Sequence, residues 1–212
     1  MKDRLLIIGA SGHGKVVADI AIKMNKWKKI NFLDDNESIK KCLGIEVIGK
    51  STDALNYIDE ADIFIAIGTN TIREKFHKKL VSAGASIPTL IHPNAVIGPE
   101  VEIGAGTVIM AGVVINSSTK LGKACLVNTG VIIEHDNVIE DFVHISPGVI
   151  VCGYVKIGKG VRLELGCIIN HYINIKSNCK VGTGAVVLKD ITEPGTYIGN
   201  PARKLGQRES VL

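Results

Sequence analysis

A repeat of six residues runs without interruption from residue 91 to residue 190. Its first position is aliphatic in all seventeen hexads: Ile91, Ile97, Ile103, Ile109, Ile115, Leu121, Val127, Ile133, Ile139, Ile145, Val151, Ile157, Leu163, Ile169, Ile175, Val181 and Val187. About a third of this segment is Ile, Leu or Val, so chance would place such residues at roughly six of these positions. A fixed short period is typical of repeat architectures, and this one predicts a parallel β-helix.

The fifth position of the hexad supports a β-helix because it is almost always small or β-branched, with Asn137 as the exception. Positions five, six, one and two are expected to form a strand whose side chains point alternately inward and outward. Three such strands close a coil of 18 residues, and successive coils stack at about 4.8 Å. Residues 18 apart in sequence are therefore expected to be vertical neighbours.

The outward sixth positions give the three sides of this coil different surfaces. One side is aliphatic throughout, which is typical of a subunit interface, at Val96, Val114, Ile132, Ile150, Ile168 and Val186. The next side is polar enough to face water, with Glu102, Lys120, Val138, Lys156 and Asn174. The remaining side is apolar below and carries His144 and two cations above, with Leu90, Val108, Leu126, His144, Arg162 and Lys180.

The first 88 residues contain three predicted parallel strands, each followed by turn chemistry. These strands cover residues 3–9, the segment INFLDD and residues 62–68, with predicted helices at 16–24 and 72–82. The strands end at Gly9, at Asp34 and Asp35, and at Gly68, so their carboxyl ends share the sheet edge where open α/β sheets bind ligands. The glycine-rich segment GASGHGK can bring backbone N–H groups close to a phosphate. Ordinary strand-to-helix turns are the alternative interpretation.

These patterns predict a nucleotide-binding domain over residues 1–88 and a β-helix domain over residues 89–212, with residues 192–205 capping the open coil. A single mononucleotide-binding half favours a nucleotide or nucleotide sugar over a dinucleotide.

The chain has no N-terminal apolar run long enough for a signal peptide or membrane span, so a cytoplasmic protein without a membrane partner is expected. The net charge of +4 comes from scattered basic residues, which disfavours a nucleic-acid partner. Five cysteines without CxxC spacing predict buried thiols and no metal site.

A histidine column forms the candidate catalytic centre. His135 lies at the corner after the aliphatic side, with Gly153 one coil above and His171 two coils above. Histidine is suited to proton transfer near neutral pH, and Glu134 or Asp136 could orient it. The glycine leaves room for a substrate and exposes a backbone N–H to an oxyanion. A surface histidine without a role is the alternative.

Six segments resemble motifs of the nucleotide-sugar acetyltransferases of the left-handed β-helix superfamily, especially the PglD and NeuD group: GASGHGKV, FLDD, FIAIGTNTIR, LVNTGVIIEHD, FVHISPG and IGNPARK. The resemblance covers nearly the whole chain. It implies an α/β Rossmann-like half domain followed by a left-handed parallel β-helix. It also implies a homotrimer that uses acetyl-CoA as cosubstrate and needs no metal.

The same resemblance implies roles for individual residues. His135 would be the general base and Asp136 its orienting group, while Asn128, His144 and Glu134 would position the acceptor or the acetyl group. The Gly153 N–H would hold the thioester oxygen. Independently of the resemblance, Arg162 and Lys180 lie one and two coils above His144 and are expected to line a groove that meets coenzyme phosphates, with a solvated basic edge as the alternative. His171, Pro201 and Arg203 are further expected coenzyme contacts. The nucleotide sugar would contact Ser11, Gly12, His13, Asp34, Asp35, Gly68, Thr69, Asn70 and Arg73. Glu164 and the pair Asn170–His171 depart from the usual repeat, which bears on coenzyme contacts more than on the chemistry.

We therefore predict an acetyl-CoA-dependent N-acetyltransferase acting on the amino group of a nucleotide-linked sugar. A UDP-4-amino-4,6-dideoxy sugar is the acceptor that the resemblance suggests. Sugar O-acetylation, including that of a sialic acid, remains open because one histidine base serves either nucleophile. A nucleotide-sensing scaffold without activity and an NAD(P)-dependent enzyme also remain open. His135 and His144 lie half a coil apart, so a trimer with the aliphatic side packed on the partly apolar side of a neighbour would bring them together.

Overall fold

The structure, a computed structural model, describes residues 2–206. Residue 1 of the expected N-terminal domain and residues 207–212 of the expected β-helix domain lie outside this range. The chain begins with a three-stranded parallel sheet in the order β2-β1-β5, followed by a β-helix. The elements before the β-helix are β1 (Arg4–Ile8), α1 (Gly12–Met24), β2 (Lys29–Leu33), β3 (Lys41–Cys42), β4 (Ile45–Glu46), a 3₁₀ helix (Ser51–Tyr57), β5 (Asp62–Ile65) and α2 (Asn70–Ser82).

Both helices begin earlier than the sequence predicted. Helix α1 starts at Gly12 rather than at residue 16, and α2 starts at Asn70 rather than at residue 72. The second half of the glycine-rich segment, from Gly12, is thus the first turn of α1, and only residues 9–11 form the connection from β1. Gly14 permits this packing, because a Cβ there would lie 2.0 Å from the carbonyl oxygen of Gly9 at the end of β1. Close contact between helix and strand is one of the purposes that glycine serves in such turns.

The hexads form a triangular parallel β-helix, which confirms the architecture predicted from their period. The first side consists of β7 (Val96–Ile97), β10 (Val114–Ile115), β13 (Ile132–Ile133), β16 (Ile150–Val151), β19 (Ile168–Ile169) and β22 (Val186–Val187). The second side consists of β8 (Glu102–Ile103), β11 (Lys120–Leu121), β14 (Val138–Ile139), β17 (Lys156–Ile157) and β20 (Asn174–Ile175). The third side consists of β6 (Leu90–Ile91), β9 (Val108–Ile109), β12 (Leu126–Val127), β15 (His144–Ile145), β18 (Arg162–Leu163) and β21 (Lys180–Val181).

Every vertical pair joins residues 18 apart, as between Val114 and Ile132. Each strand has only two residues, shorter than the four that were expected, because the corners begin to turn immediately afterwards. The hydrogen-bonded ladder nevertheless extends one residue further, since the Asn116 N–H donates to the Ile133 carbonyl at 2.9 Å. The predicted cap is present as β23 (Thr196–Ile198), which pairs with β21, and β24 (Arg203–Lys204), which pairs with β23.

The N-terminal α/β unit packs on the lower part of the third side. Leu90, Val108 and Leu126 are fully buried there, in one cluster with Val17 and Ala18 of α1. The expectation that this apolar surface receives the aliphatic side of a neighbouring subunit was therefore wrong. The sequence correctly marked these residues as outward-facing, but the α/β unit of the same chain covers them.

Within residues 2–206, no helix is both long enough and apolar enough to cross a bilayer. All five cysteines are free thiols. Four of them are buried, and Cys152 is half-buried beside the corner that carries His135.

Candidate active site

The corner that follows β13 carries His135 and Asp136 in direct contact. Nδ1 of His135 lies 2.8 Å from Oδ2 of Asp136, and both side chains are partly open to solvent. Asp136 has a left-handed backbone with φ of 57°, a conformation that Asp tolerates better than most residues. Glu134 instead accepts a hydrogen bond from Asn116 at 2.7 Å. Asp136 is thus the carboxylate that can orient His135.

Gly153 lies against the imidazole of His135 from the coil above. A Cβ on residue 153 would be 2.9 Å from Cε1 and 3.0 Å from Nε2 of His135. The Gly153 N–H makes no hydrogen bond within the part of the chain that the structure describes. A free donor beside an imidazole is suited to an oxygen that gains negative charge during a reaction.

A buried asparagine supports this corner from inside the coil. Asn137, the exception at the inward fifth position, is fully buried and donates from Nδ2 to the Glu134 carbonyl. Its Oδ1 accepts the Val155 N–H at 2.8 Å, and the Thr119 hydroxyl donates to the same Glu134 carbonyl at 2.9 Å. Buried polar groups need such partners. The departure from the hexad pattern therefore coincides with the turn that presents His135.

Two tyrosines that the sequence reasoning missed lie in the column above Asp136, next to the column of His135. Tyr154 packs edge-on against His135, with ring centroids 5.3 Å apart, and stacks on Tyr172 at 5.2 Å. The negative charge of Asp136, and then a hydrogen bond to it, raise the pKa of Tyr154. The 18-residue period was a signal that could have found both, because they follow Asp136 by one and two coils. His171 is exposed, and its ring lies tilted against Tyr172 at 6.4 Å.

His144 is buried where the α/β unit meets the third side. Its Nδ1 lies 3.2 Å from the Gly68 carbonyl oxygen, and its Nε2 lies 3.3 Å from Nδ2 of Asn128. Burial, followed by the charges of Arg162 and Arg73, lowers the pKa of His144 to about 4. The imidazole is consequently neutral at physiological pH.

His13 of α1 belongs to this same interdomain cluster. Burial, followed by the proximity of His144 and Arg73, lowers the pKa of His13 to about 4. Its Nε2 is buried and has no hydrogen-bond partner within residues 2–206. The structure thus places His13 beside His144, whereas the sequence grouped it with Asp34 and Asp35.

Arg73 links the two parts of the chain and has no exposed surface. It donates to the carbonyls of Ala124 and Phe142 in the β-helix at 2.8 and 2.9 Å, and to that of Ile67 at 3.0 Å. Asn70 accepts from Arg73 at 2.8 Å and donates to the Gly160 carbonyl at 2.9 Å. The expectation that Arg73 contacts the nucleotide sugar directly is corrected here, because its donors point into the protein. Thr69 precedes α2 and is exposed.

The three strand ends of the α/β unit converge on a cavity of about 260 Å³, as the sequence predicted. Ser11, Asp34, Asp35 and Gly68 line it, together with Ser51, which the sequence reasoning missed. Both carboxylates also hold backbone: Asp34 accepts the Ala10 N–H at 2.6 Å, and Asp35 accepts that of Ser51 at 2.9 Å. Gly12 is exposed at the start of α1. A second cavity, of about 460 Å³, shares Asp34 with the first.

The cations above His144 are paired with Glu164. Its carboxylate lies 2.8 Å from Nε of Arg162 and 3.1 Å from Nζ of Lys180. Burial opposes the charge on Glu164, but Lys180 and Arg162 outweigh it and lower the pKa of this carboxyl.

Pro201 and Arg203 line a separate cavity of about 180 Å³ in the cap. In residues 2–206, no group of three or more His, Cys, Asp or Glu side chains is placed to hold a metal ion.

Comparisons with known proteins agree with this architecture. Residues 4–80 match the model of the PglD N-terminal domain, and residues 89–117 match that of the bacterial transferase hexapeptide (six repeats). The acetyltransferase domain of PglB from Neisseria gonorrhoeae FA1090, in complex with acetyl coenzyme A, is 37% identical with a TM-score of 0.93. That match covers 97% of this chain and 100% of the PglB domain. The chain belongs to the PglD-like hexapeptide β-helix acetyltransferases.

Two other proteins that are similar to this PglD-like acetyltransferase are named as N-acetyltransferases. A histidine-to-asparagine variant of perosamine N-acetyltransferase from Caulobacter crescentus, in complex with CoA and GDP-perosamine, is 31% identical with a TM-score of 0.90. The match covers 95% of this chain and 96% of that one. UDP-N-acetylbacillosamine N-acetyltransferase from Bacillus subtilis is 34% identical over 114 residues, 50% of each protein. This alignment thus spans about half the length of the curated relative.

Proposed function

We propose that this protein transfers the acetyl group of acetyl-CoA to the amino group of a nucleotide-linked sugar, with His135 as general base. One observation carries the assignment: His135 contacts Asp136 on one side and Gly153 of the next coil on the other, and the Gly153 N–H has no hydrogen-bond partner within residues 2–206. A base, its orienting carboxylate and an oxyanion donor therefore share one corner. The relatives named as N-acetyltransferases support an amine as the acceptor.

In the proposed reaction, the acceptor nitrogen attacks the thioester carbon while Nε2 of His135 takes one of its protons. Asp136 stabilises the imidazolium that forms, since its carboxylate accepts from Nδ1. The carbonyl oxygen becomes negative in the tetrahedral intermediate, and the Gly153 N–H donates to it. Collapse of the intermediate breaks the carbon–sulfur bond, and the departing thiolate receives the proton from His135. Transfer is direct, without an acyl-enzyme.

The nucleotide is assigned to the cavity at the strand ends of the α/β unit. Ser11 begins the glycine-rich turn that offers backbone N–H groups to a phosphate, while Asp34 and Asp35 can accept from ribose or base donors. A UDP-4-amino-4,6-dideoxy sugar is the first acceptor to test, and a GDP-linked amino sugar is the second.

The coenzyme is assigned to the upper part of the third side. Arg162 and Lys180 are proposed to meet phosphates of the coenzyme, with His171 and the cap residues Pro201 and Arg203 along the same path.

A homotrimer is proposed because the first side carries an apolar stripe that is only partly buried within residues 2–206. Val96 at its lower end is 60% exposed, Ile168 in the fifth coil is 37% exposed, and the other four members are half-buried. Exposed apolar stripes of this length are typical of interfaces. His135 and His144 lie nine residues apart in a coil of 18, which is the largest separation that a coil allows. A site that uses both His135 and the third side therefore needs two chains.

The decisive experiment measures free thiol release from acetyl-CoA with a panel of UDP- and GDP-linked amino sugars and their hydroxyl analogues. We expect turnover with at least one amino sugar and a loss of about 10²- to 10⁴-fold in kcat for His135→Ala. Near-normal turnover in that variant, with an unchanged thermal midpoint, would show that His135 is not the general base. Transfer to hydroxyl sugars alone would make the protein an O-acetyltransferase.

A further inference from the structure

The hydrogen bonds around His144 determine which of its nitrogens carries the proton. The Gly68 carbonyl oxygen can only accept, so Nδ1, at 3.2 Å, must be the donor. A neutral imidazole has one N–H, and Nε2 is consequently an acceptor. Asn128 must then direct its NH₂ group toward Nε2. Its carboxamide oxygen is left facing away from His144.

The Gly68 carbonyl is itself held in place by the buried Arg73. The guanidinium donates to the carbonyls of Gly68 and Ile67 at 3.2 and 3.0 Å, and it is anchored to the β-helix through Ala124 and Phe142. A continuous set of contacts therefore runs from the domain interface through Gly68 and His144 to Asn128. Each member of this set has one orientation that satisfies its neighbour.

The surroundings of His144 keep it in this neutral form. Arg162 on β18 and Arg73 on α2 both disfavour an additional positive charge, and His13 on α1 lies close by. Glu164 has the opposite effect, but its carboxylate is already paired with Arg162 and Lys180. Burial and the two arginines prevail, so the pKa of His144 falls from its ordinary value of 6.5 to about 4.

We propose that His144 is a positioning residue, fixed by the α/β unit, which turns the carboxamide oxygen of Asn128 toward the amino group of the acceptor. The oxygen is suited to this contact because Asn128 is half-buried and Oδ1 makes no hydrogen bond within residues 2–206. This inference rests on the proposed function for the identity of the acceptor and for the cleft between chains. The tautomer of His144 does not depend on either.

The arrangement distinguishes an amine from a hydroxyl. An attacking neutral amine has two N–H groups, so one can pass its proton to His135 of the neighbouring chain while the other donates to Asn128. A hydroxyl has a single proton, which the base requires, and Asn128 Oδ1 would remain unpaired. A site built around a hydrogen bond rejects an acceptor that cannot make it.

The first test is spectroscopic and needs no substrate. Long-range ¹H–¹⁵N correlation spectra of histidine-labelled protein, assigned with the His144→Gln variant, report the tautomer of each imidazole. We expect His144 to be protonated on Nδ1 alone at every pH from about 8 down to about 5.5. A proton on Nε2, or titration of His144 within that range, would overturn the proposal.

The second test compares His144→Phe with His144→Gln. Phenylalanine removes both nitrogens, so we expect kcat for the amino sugar and its preference over the hydroxyl analogue to fall about tenfold or more, with the KM for acetyl-CoA within about twofold. Glutamine can donate to Gly68 and accept from Asn128, and it should retain part of both. An unchanged amine preference in a folded His144→Phe protein would refute the positioning role. If the wild type acetylated no acceptor, the proposed function would fail while the spectra still decided the tautomer.

Discussion

Gly153 packs against His135 across adjacent coils, and its lack of a side chain leaves room for the imidazole. The closest approach of an added Cβ would be 2.9 Å, to Cε1 of His135. The backbone of Gly153 is outside the left-handed region, and the three atoms nearest to the added Cβ all belong to the imidazole, which would have to shift to admit alanine. The requirement for glycine therefore arises from His135.

Gly153→Ala should displace His135 without unfolding the coil. A misplacement of about 1 Å can cost roughly 10²-fold in rate, and we expect kcat to fall by about 10- to 100-fold. The thermal midpoint should change little. In a His135→Ala background the same substitution should have no further effect on kcat, and an additional large loss there would show that Gly153 acts independently of His135.

Asp136→Asn should lower kcat less than His135→Ala does. Asparagine tolerates the left-handed backbone of this position but carries no charge to stabilise an imidazolium. The substitution thus removes support for the base and keeps the base itself. Steady-state kinetics on both variants check the order, and a greater loss for Asp136→Asn would mean that the two roles are reversed.

Glu164→Gln should strengthen the binding of acetyl-CoA. The carboxylate now pairs with Arg162 and Lys180, and its removal leaves both cations available to phosphates. Partly exposed pairs of this kind are worth up to about 1 kcal/mol, so we expect the KM for acetyl-CoA to fall about two- to fivefold. Lys180→Glu should raise that KM and affect the KM for the sugar far less.

Lys120→Glu is the matched control for that charge reversal. Lys120 is exposed on the second side, where it pairs with Glu102 at 2.8 Å and lies outside the proposed groove. Its reversal should leave the KM for acetyl-CoA unchanged. If the Lys120 and Lys180 reversals change the KM for acetyl-CoA equally, the cause would be the net charge of the protein and not a basic groove.

Arg73→Met should destabilise the protein strongly. It leaves the buried carbonyls of Ala124 and Phe142 without donors, at about 1–3 kcal/mol each, so the free energy of unfolding should fall by roughly 2–6 kcal/mol. Lys159→Met removes a partly exposed interdomain pair with Glu74 and should cost no more than about 1 kcal/mol. Urea denaturation of both variants measures the difference, and equal losses would argue against a special role for Arg73.

Mixed trimers test whether the site is shared between chains. His135→Ala chains should be nearly inactive and His144→Ala chains should keep about a tenth of wild-type activity or less, but in trimers mixed randomly from equal amounts about a quarter of the clefts combine an intact His135 with an intact third side. Those clefts should restore a corresponding fraction of wild-type activity. Verified hybrids that show no recovery would place the complete site within one chain.

The hexad period predicted the coil, its three sides and the column above His135, because an 18-residue coil leaves no freedom in which residues stack. The docking of the α/β unit could not be predicted in this way. Leu90 and its neighbours were correctly assigned as outward-facing, but an apolar outward surface does not reveal what covers it. Arg73 was misassigned for a related reason: its partners are backbone carbonyls, which leave no trace in the sequence.

The contacts of Arg73 also restrict how proteins of this kind can be recombined. Its partners Ala124 and Phe142 lie at corners of successive coils, so a donated α/β unit needs a β-helix whose corners present carbonyls at the same height. A chimaera that joins the α/β unit of one relative to the β-helix of another would bury a cation without its two β-helix acceptors if those corners differ. Changing the nucleotide specificity by exchange of whole domains therefore requires the recipient corners to be rebuilt along with the binding cavity.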